Sequence, residues 1–333
     1  MRHARTLAAA AALALPVAAL AACGSGGDDD AVVLTVEPSA IPAFIAEAEG
    51  FFGDTEVEVT TVGYEEAESL LIAGQTQIAW IGPLDTAQFA SEGEDFRYIS
   101  TAGALNMYNG VVIRAEDADQ YQSIEDLAGL RLGIPGFGTG TWASFDVFAR
   151  TYFGIDDPEE DFDVITADSG ALLALLERGE IDAALLFAAS SAAGRYMDQF
   201  ETVFSFTEVM QEEYGVPLVV NGPTARADWI EDNPDAVADV IAGLDQAVQW
   251  MSENPDAFRE DGEYARFASG DGWHADEATT DGILSLLADG EWYLTSDAYT
   301  DEWRDAVYEV VQAGEGSLVD SVPDQDAIFA ETD

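Results

Sequence analysis

The sequence predicts an α/β protein of two lobes, each a mostly parallel sheet flanked by helices, with a ligand cleft between the lobes. Strand-like and helix-like segments alternate along the chain, a rhythm typical of parallel sheets wrapped by helices. The rhythm occurs once before Thr101 and again from Val111 to Val220. A chain of 333 residues can hold two such lobes of roughly 100–200 residues each. Two extended segments, Asn109–Ile113 and Val216–Val220, are suited to cross between the lobes.

Short apolar runs and amphipathic runs define the predicted elements. The predicted strands are VVLTVE (Val32–Glu37), EVEVTTV, QIAWIG (Gln77–Gly82), RYIST, GVVIRAE, LRLGIPG, FDVITA, IDAALLF and ETVFSF. The predicted helices include AFIAEAEGFF, YEEAESLLIAG, LDTAQFASEG, a short SIEDLAG helix capped by Ser123, TWASFDVFARTYFG and ALLALLERGE. We assign residues 32–110 and 221–333 to lobe one and residues 111–220 to lobe two, so that the C-terminal helices belong to lobe one.

Residues 1–22 have the pattern of an export signal. Arg2 and Arg5 precede an apolar stretch that is short for a membrane span. The stretch ends in Leu-Ala-Ala-Cys, which resembles a bacterial lipobox, so we expect Cys23, the only cysteine, to be lipidated. The alternative is a plain secretory signal with an incidental cysteine. Residues 23–31 then form a flexible tether, which predicts a protein anchored to the outer face of a cytoplasmic membrane, at the cell surface or in a periplasm.

The composition is strongly acidic, with 12 basic and 65 acidic residues and a net charge of −53. All the basic residues are arginine. A field of this sign repels nucleic acid and anionic lipid, so we expect neither as a partner, and we expect a monomer. The 48% hydrophobic and 11% aromatic content indicates a folded core in spite of this charge. Acidic residues spread over helix faces suggest a surface adapted to high salt, where screening reduces self-repulsion.

A glycine-rich stretch, RLGIPGFGTGTWASFD, joins a predicted strand to a predicted helix. It lacks the G-x-G-x-x-G spacing of a dinucleotide site, and without lysine the chain has no Walker loop. The backbone N–H groups at the start of the helix favour a negative group. We therefore predict an anion site at Gly138, Thr139, Gly140 and Thr141; the alternative is a simple helix cap.

The facing lobe supplies loops at the carboxyl ends of its predicted strands. The candidate residues from both lobes and the crossings are Ser39, Ala40, Ile41, Trp80, Gly82, Pro83, Asp85, Asn106, Met107, Tyr108, Asn109, Phe187 and Asn221. Trp80 could instead belong to the core. Asp85 could pair with a ligand ammonium or cap a helix. Arg195 could reach the cleft as a counter-ion or face solvent, and Asn109 and Asn221 should lie together at the hinge.

Five segments in order resemble the substrate-binding proteins of ABC importers in the nitrate, taurine and alkanesulfonate group. They are PSAIPAFIAEAEGFF, QIAWIGP, SIEDLAGLRLGIPGFGTGT, LLERGEIDAALLF and DWIEDNPDAVADVIAGLDQAVQWMSENPDAF. The resemblance covers nearly the whole mature chain. It implies a periplasmic-binding-protein fold with two crossovers, which delivers a small solute to a membrane permease.

One departure from that group bears on the ligand. The strand ending in D-A-A is often followed there by an aromatic and an acidic residue, whereas Phe187 is followed by Ala188, Ala189 and Ser190. We expect a small organic anion, an alkanesulfonate or a taurine-like sulfonate; without that acid, a neutral or apolar tail is favoured over the amino group of taurine. The alternatives are nitrate or bicarbonate, a neutral heterocyclic vitamin precursor, or a ligand sensor with the same fold.

An enzymatic role has little support in the residue types. Histidine occurs only as His3 and His274, so a Ser-His or Cys-His constellation would have to use His274. The resembled superfamily includes enzymes of thiamine-pyrimidine synthesis that use a lysine-bound pyridoxal phosphate and a histidine. A chain without lysine cannot perform that chemistry. We expect no cofactor and no metal.

Overall fold

Two five-stranded sheets organise the part of the chain that the computed structural model describes, residues 31–106, 110–274 and 276–331. The predicted signal, Cys23 and nearly all of the tether lie outside the described residues. The strands are β1 (Val32–Val36), β2 (Val57–Thr61), β3 (Ile78–Trp80), β4 (Phe96–Tyr98), β5 (Gly110–Arg114), β6 (Arg131–Ile134), β7 (Asp163–Thr166), β8 (Ala183–Leu186), β9 (Phe200–Ser205) and β10 (Pro223–Arg226).

The two sheets have the same topology. The first has the order β2-β1-β3-β10-β4 and the second β7-β6-β8-β5-β9. In each sheet three parallel strands are followed by one strand that is antiparallel to both of its neighbours, β10 in the first and β5 in the second. Four of the five strands in each sheet therefore run the same way, which confirms the predicted two-lobed α/β architecture. We call the first sheet with its helices lobe one and the second lobe two.

Helices cover both sheets. They are α1 (Ile41–Glu49), α2 (Tyr64–Ile72), α3 (Pro83–Glu92), α4 (Gly140–Phe153), α5 (Pro158–Asp161), α6 (Ser169–Glu177), α7 (Ala188–Tyr196), α8 (Phe206–Glu213), α9 (Ala227–Asp232), α10 (Pro234–Glu253), α11 (Ala265–Asp271), α12 (Glu277–Ala288) and α13 (Asp301–Ala313). No helix in these ranges combines the length and apolarity needed to cross a bilayer.

The burial of each strand follows its place in the sheet. The inner strands β3 and β8 are continuous apolar runs, IAW and AALL, and every residue in them is buried. The edge strand β2, VEVTT, has no fully buried residue. This contrast is expected, because helices cover both faces of the inner strands of a parallel sheet.

Three local predictions differ from the structure. The predicted SIEDLAG helix is only a 3₁₀ turn, Glu125–Leu127. Ser123 does not cap it; the Asp126 carboxylate instead accepts the backbone N–H groups of Gln122 and Ser123. Val216–Val220 crosses between the lobes without forming a strand, and the strand that returns to lobe one, β10, was not predicted. Its NGPTAR sequence carries too little apolar character to indicate a central strand.

The C-terminal helices contact both lobes. In the α12–α7 contact, Gly282 lies so close to the Tyr196 ring that an added Cβ would be 2.5 Å from it. The α13 helix packs on α3 of lobe one and α4 of lobe two. Its Trp303 indole donates to the carbonyl of Pro217 in the second crossing, at 3.0 Å. The lobe boundaries given above stay a prediction, because these helices bridge the two sheets.

Candidate functional site

Glu37 lies where β1 ends, at the edge of lobe one that faces the glycine-rich loop. Ser39 Oγ donates to Glu37 Oε1 at 3.0 Å, and the amide nitrogen of Asn221 donates to the same oxygen. Asn221 is buried just before β10, and its side-chain oxygen has no hydrogen-bond partner among the described residues. Burial raises the pKa of Glu37 to about 7, although the two hydrogen bonds act to lower it. The nearby charge of Asp85 also raises this pKa.

Asp85 lies in the first turn of α3, beside the end of β3. The N-cap of this helix is Gly82, so the predicted alternative of Asp85 as the cap is wrong. The Tyr64 hydroxyl donates to Asp85 Oδ2 at 2.6 Å and accepts from the backbone N–H of Gly82 at 3.0 Å. Burial raises the pKa of Asp85 to about 6. In α2, partial burial and the charges of Asp85 and Glu65 raise the pKa of Glu68 to about 8.

The glycine-rich loop of lobe two ends at the N-terminus of α4, as predicted. Thr139 is the N-cap: its hydroxyl accepts from the backbone N–H of Trp142 at 3.2 Å and donates to the carbonyl of Gly136 at 2.9 Å. This hydroxyl therefore serves the helix cap, which was the alternative to direct ligand contact. Thr141 is buried in the first turn, behind Gly140.

The two lobes meet where this loop faces Asp85. An added Cβ at Gly140 would lie 3.1 Å from Asp85 Oδ2 and 3.3 Å from the Tyr64 hydroxyl. At Gly138 it would lie 2.8 Å from Glu65 Oε1. The positive end of the α4 dipole thus already faces a carboxylate of the protein itself.

The other predicted residues have varied surroundings. Ala40 and Ile41 are buried at the start of α1, and Pro83 is buried at the start of α3. Trp80 is 1% exposed within the lobe-one core, which is the alternative considered for it. Phe187 directly follows the carboxyl end of β8, the central strand of the second sheet, and is only partly buried.

The remaining candidates lie apart from this cluster or outside the described residues. Asn106 donates to the carbonyl of Glu291 at 3.0 Å, between the first crossing and the C-terminal helices. Arg195 is exposed, 5.9 Å from the ring centroid of Tyr196. Met107, Tyr108 and Asn109 lie outside the described residues, so the expected approach of Asn109 to Asn221 stays a prediction.

Sequence reasoning missed Glu37, Tyr64 and Glu68 as site residues. Glu37 could have been found, because it is an acid at the end of a buried strand, next to Pro38. Tyr64 and Glu68 carry no such signal; they look like ordinary residues of an amphipathic helix. Across the described ranges, no group of three or more His, Cys, Asp or Glu side chains suits a metal ion.

The fold resembles that of known solute-binding proteins. SsuA, the periplasmic aliphatic sulphonate binding protein from Escherichia coli, has a TM-score of 0.64 at 13% identity, over 91% of this chain and 92% of SsuA. NrtA, the periplasmic nitrate-binding protein from Synechocystis PCC 6803, has a TM-score of 0.59 at 15% identity, over 90% of this chain and 87% of NrtA. SsuA from Xanthomonas axonopodis pv. citri bound to MOPS has a TM-score of 0.57 at 11% identity, over 87% and 96% of the respective chains.

These similarities establish the periplasmic-binding-protein fold that the sequence predicted. No curated protein sequence matches the chain. The family model described as NMT1/THI5 like matches residues 37–258, from Glu37 at the candidate site through the whole of lobe two and past the end of α10. Since the match spans well over half of its length, the chain belongs to the NMT1/THI5-like family.

Proposed function

We propose that this protein is the solute-binding component of an ABC importer, which encloses a small solute between its lobes and passes it to a membrane permease. One observation carries the proposal: Gly140 of lobe two lies directly against Asp85 and Tyr64 of lobe one. The carboxyl ends of strands from both sheets thus converge on one cleft, the place where ligands bind to open α/β sheets. The solute-binding roles in the names of SsuA and NrtA support the same function.

Hinge closure is the proposed mode of capture. Between the sheets the chain crosses once before β5 and once along Val216–Gly222, and a rotation within these short segments would separate the two edges of the cleft. A ligand that contacts both edges shifts the population toward the closed form, because it binds that form more tightly. Closure then removes the ligand from water. This role involves no chemical step, so the proposed protein is not an enzyme.

Export and lipid anchoring complete the proposal. The N-terminal pattern and Cys23 support a lipoprotein held outside the cytoplasmic membrane. Labelling with a radioactive fatty acid tests this part, since Cys23→Ser should abolish the label.

The predicted sulfonate ligand is one candidate, with nitrate and bicarbonate beside it. The N-terminus of α4 supports an anion, because its backbone N–H groups point toward the cleft end of lobe two. The sulphonate- and nitrate-binding relatives support it as well. The carboxylates of Glu37 and Asp85 at the same cleft oppose it, because like charges repel at short range.

A thermal-shift screen of the mature chain in high-salt buffer tests the function. The panel includes taurine, alkanesulfonates, nitrate, bicarbonate, phosphonates, pyrimidine precursors and small amines. A ligand at about 100 times its dissociation constant should stabilise the protein by about 2.7 kcal/mol and raise its Tm. Small-angle scattering should then show a smaller radius of gyration for the bound protein. If no small solute shifts the Tm, the proposed function is wrong.

A further inference from the structure

Asn221 presents a buried acceptor that nothing in the described structure satisfies. Its side chain is 4% exposed, and its oxygen has no partner there. While Glu37 is ionised it can only accept, so the Asn221 NH₂ group faces Glu37 and the amide oxygen is left without this partner. A buried acceptor left without a donor is costly, so this oxygen is suited to a donor on the ligand.

Glu37 offers a second acceptor beside it. Both described hydrogen bonds to this carboxylate, from Ser39 and Asn221, reach Oε1. Oε2 receives neither of them. The two side chains are hydrogen-bonded to each other, so Glu37 Oε2 and the Asn221 oxygen together offer two acceptors to a group with two N–H donors.

No protein cation neutralises this region within the described residues. The salt bridges found among the described residues join arginines to acids elsewhere in the protein, and none includes Glu37, Glu68 or Asp85. The N-terminus of α4 faces Asp85, so it is not reserved for a ligand anion. A sulfonate stays ionised at any physiological pH and would have to enter beside these carboxylates.

The net charge of the protein also favours a cationic ligand over an anionic one. A protein with a net charge of −53 raises the local concentration of small cations and lowers that of anions. An acidic surface that suits high salt would also steer a cationic solute to the cleft.

The geometry points to a small organic cation with N–H donors, an amine or amidine, held by Glu37 and Asn221 with Asp85 close by. This inference rests on the proposed solute-binding function and names the ligand class. It replaces the predicted sulfonate. The donors would pair with Glu37 Oε2 and the Asn221 oxygen, and the positive charge would offset the two carboxylates.

Pairs of probes with one skeleton and opposite charge test the ligand class. Benzamidine is compared with benzenesulfonate, and ethylamine with ethanesulfonate, by thermal shift and titration calorimetry in buffered potassium chloride. We expect at least one cation to raise the Tm and its matched sulfonate to leave the Tm unchanged. If no cation binds, the inference is overturned. Binding of a sulfonate alone overturns the inference and leaves the proposed function standing.

Isosteric variants test the residues. Glu37→Gln keeps an acceptor for Ser39 and removes the charge, so we expect it to weaken binding of the cation tenfold or more. Glu58→Gln makes the same change on the exposed side of β2 and should leave binding unchanged. Asp85→Asn gives a second test, because it keeps an oxygen for the Tyr64 hydroxyl. Circular dichroism establishes that each variant is folded. Unchanged affinity in both folded cleft variants would overturn the assignment.

Discussion

The two sheets have the same strand order and direction, yet the edges that face each other differ in chemistry. The lobe-one edge carries Glu37 directly after β1 and Asp85 in the first turn of α3, which follows β3; both have a raised pKa. The corresponding edge of lobe two carries the N-terminus of α4, capped by Thr139, and the neutral Phe187 after β8. Topology therefore decides where the cleft lies, and the first residues after each strand decide what the cleft can bind.

The pairing of an acidic edge with a helix N-terminus has a consequence for closure. Asp85 faces Gly140 across the cleft, so the two lobes attract each other at this point even without a ligand. Around Glu37 the part of the chain that the structure describes places no such helix N-terminus. The contact between Asp85 and Gly140 thus favours closure by itself, whereas the site proposed at Glu37 depends on a ligand.

The largest loss of stability is expected when Gly82, beside the second crossing, is replaced by alanine; the same change at Gly140, at the cleft, should cost less. A Cβ at Gly82 would lie 1.9 Å from the carbonyl oxygen of Val220, so Gly82→Ala should displace the crossing and lower the free energy of unfolding by about 3 kcal/mol. At Gly140 the nearest atom would be Val220 Cγ1, at 3.0 Å, so Gly140→Ala should cost about 1 kcal/mol. Urea denaturation measures both. Gly63→Ala, whose Cβ meets nothing within 4 Å, is the control. Equal losses at Gly82 and Gly140 would contradict this picture.

Stability should fall as the pH rises from 5 to 8. The pKa of Glu37 is raised to about 7 and that of Asp85 to about 6, so the folded protein binds more protons than the unfolded chain above their ordinary values near 4. Ionising the two buried carboxyl groups costs nothing at acidic pH, where both are protonated, and the full cost is reached once the pH exceeds their raised pKa values. We expect the free energy of unfolding to fall by about 2 kcal/mol over this range. The groups facing these acids are Tyr64 and Glu68 of α2 together with the two carboxylates themselves.

Urea denaturation across this pH range measures the effect. In Glu37→Gln the free energy of unfolding should depend less on pH between 6 and 8, because the glutamine side chain has no proton to lose. A stability that rises with pH would show that the two acids are not buried together.

A smaller effect separates the cap of α4 from a ligand contact. Thr139→Ala removes the hydroxyl that accepts from Trp142 N–H and should cost about 1 kcal/mol. Thr151→Ala on the exposed side of the same helix is the matched control and should be near neutral. Titration calorimetry with the probe that binds gives the second readout. If Thr139→Ala loses much more ligand-binding free energy than folding free energy, Thr139 contacts the ligand directly.

The smallest effect concerns backbone strain at the lobe-two edge. Ala188, directly after Phe187, has a φ of +50°. Residues other than glycine, asparagine and aspartate seldom adopt this conformation. Ala188→Gly should therefore stabilise the protein by up to about 1 kcal/mol, as measured by thermal unfolding. Ala192→Gly, in the body of the same helix, should instead destabilise it by about 1 kcal/mol. Destabilisation by both variants would show that the Ala188 conformation carries no strain.

Much of the fold could be predicted, because its signals are local. The apolar runs IAW and AALL indicate buried strands, and the glycine-rich loop before TWASFDVF indicates a helix start with Thr139 nearby. β10 could not be predicted, because Pro223 and Thr224 become a central strand only through pairing with β3 and β4. The SIEDLAG segment forms only a short turn, because Gly129 has a left-handed φ of +79° and β6 begins two residues later, at Arg131.

The sequence by itself determined the alternation of elements, the excess of negative charge and the polar, glycine-rich ends of the strands, because each depends on residues close together in the chain. Only the tertiary structure decided the chemistry of the cleft. It joined Glu37 to Asn221, 184 residues apart, and turned Asp85 toward the helix N-terminus that had been predicted for a ligand anion. The physical reason is burial: a carboxylate removed from water acquires a raised pKa and needs a donor, and neither property exists until distant segments enclose it.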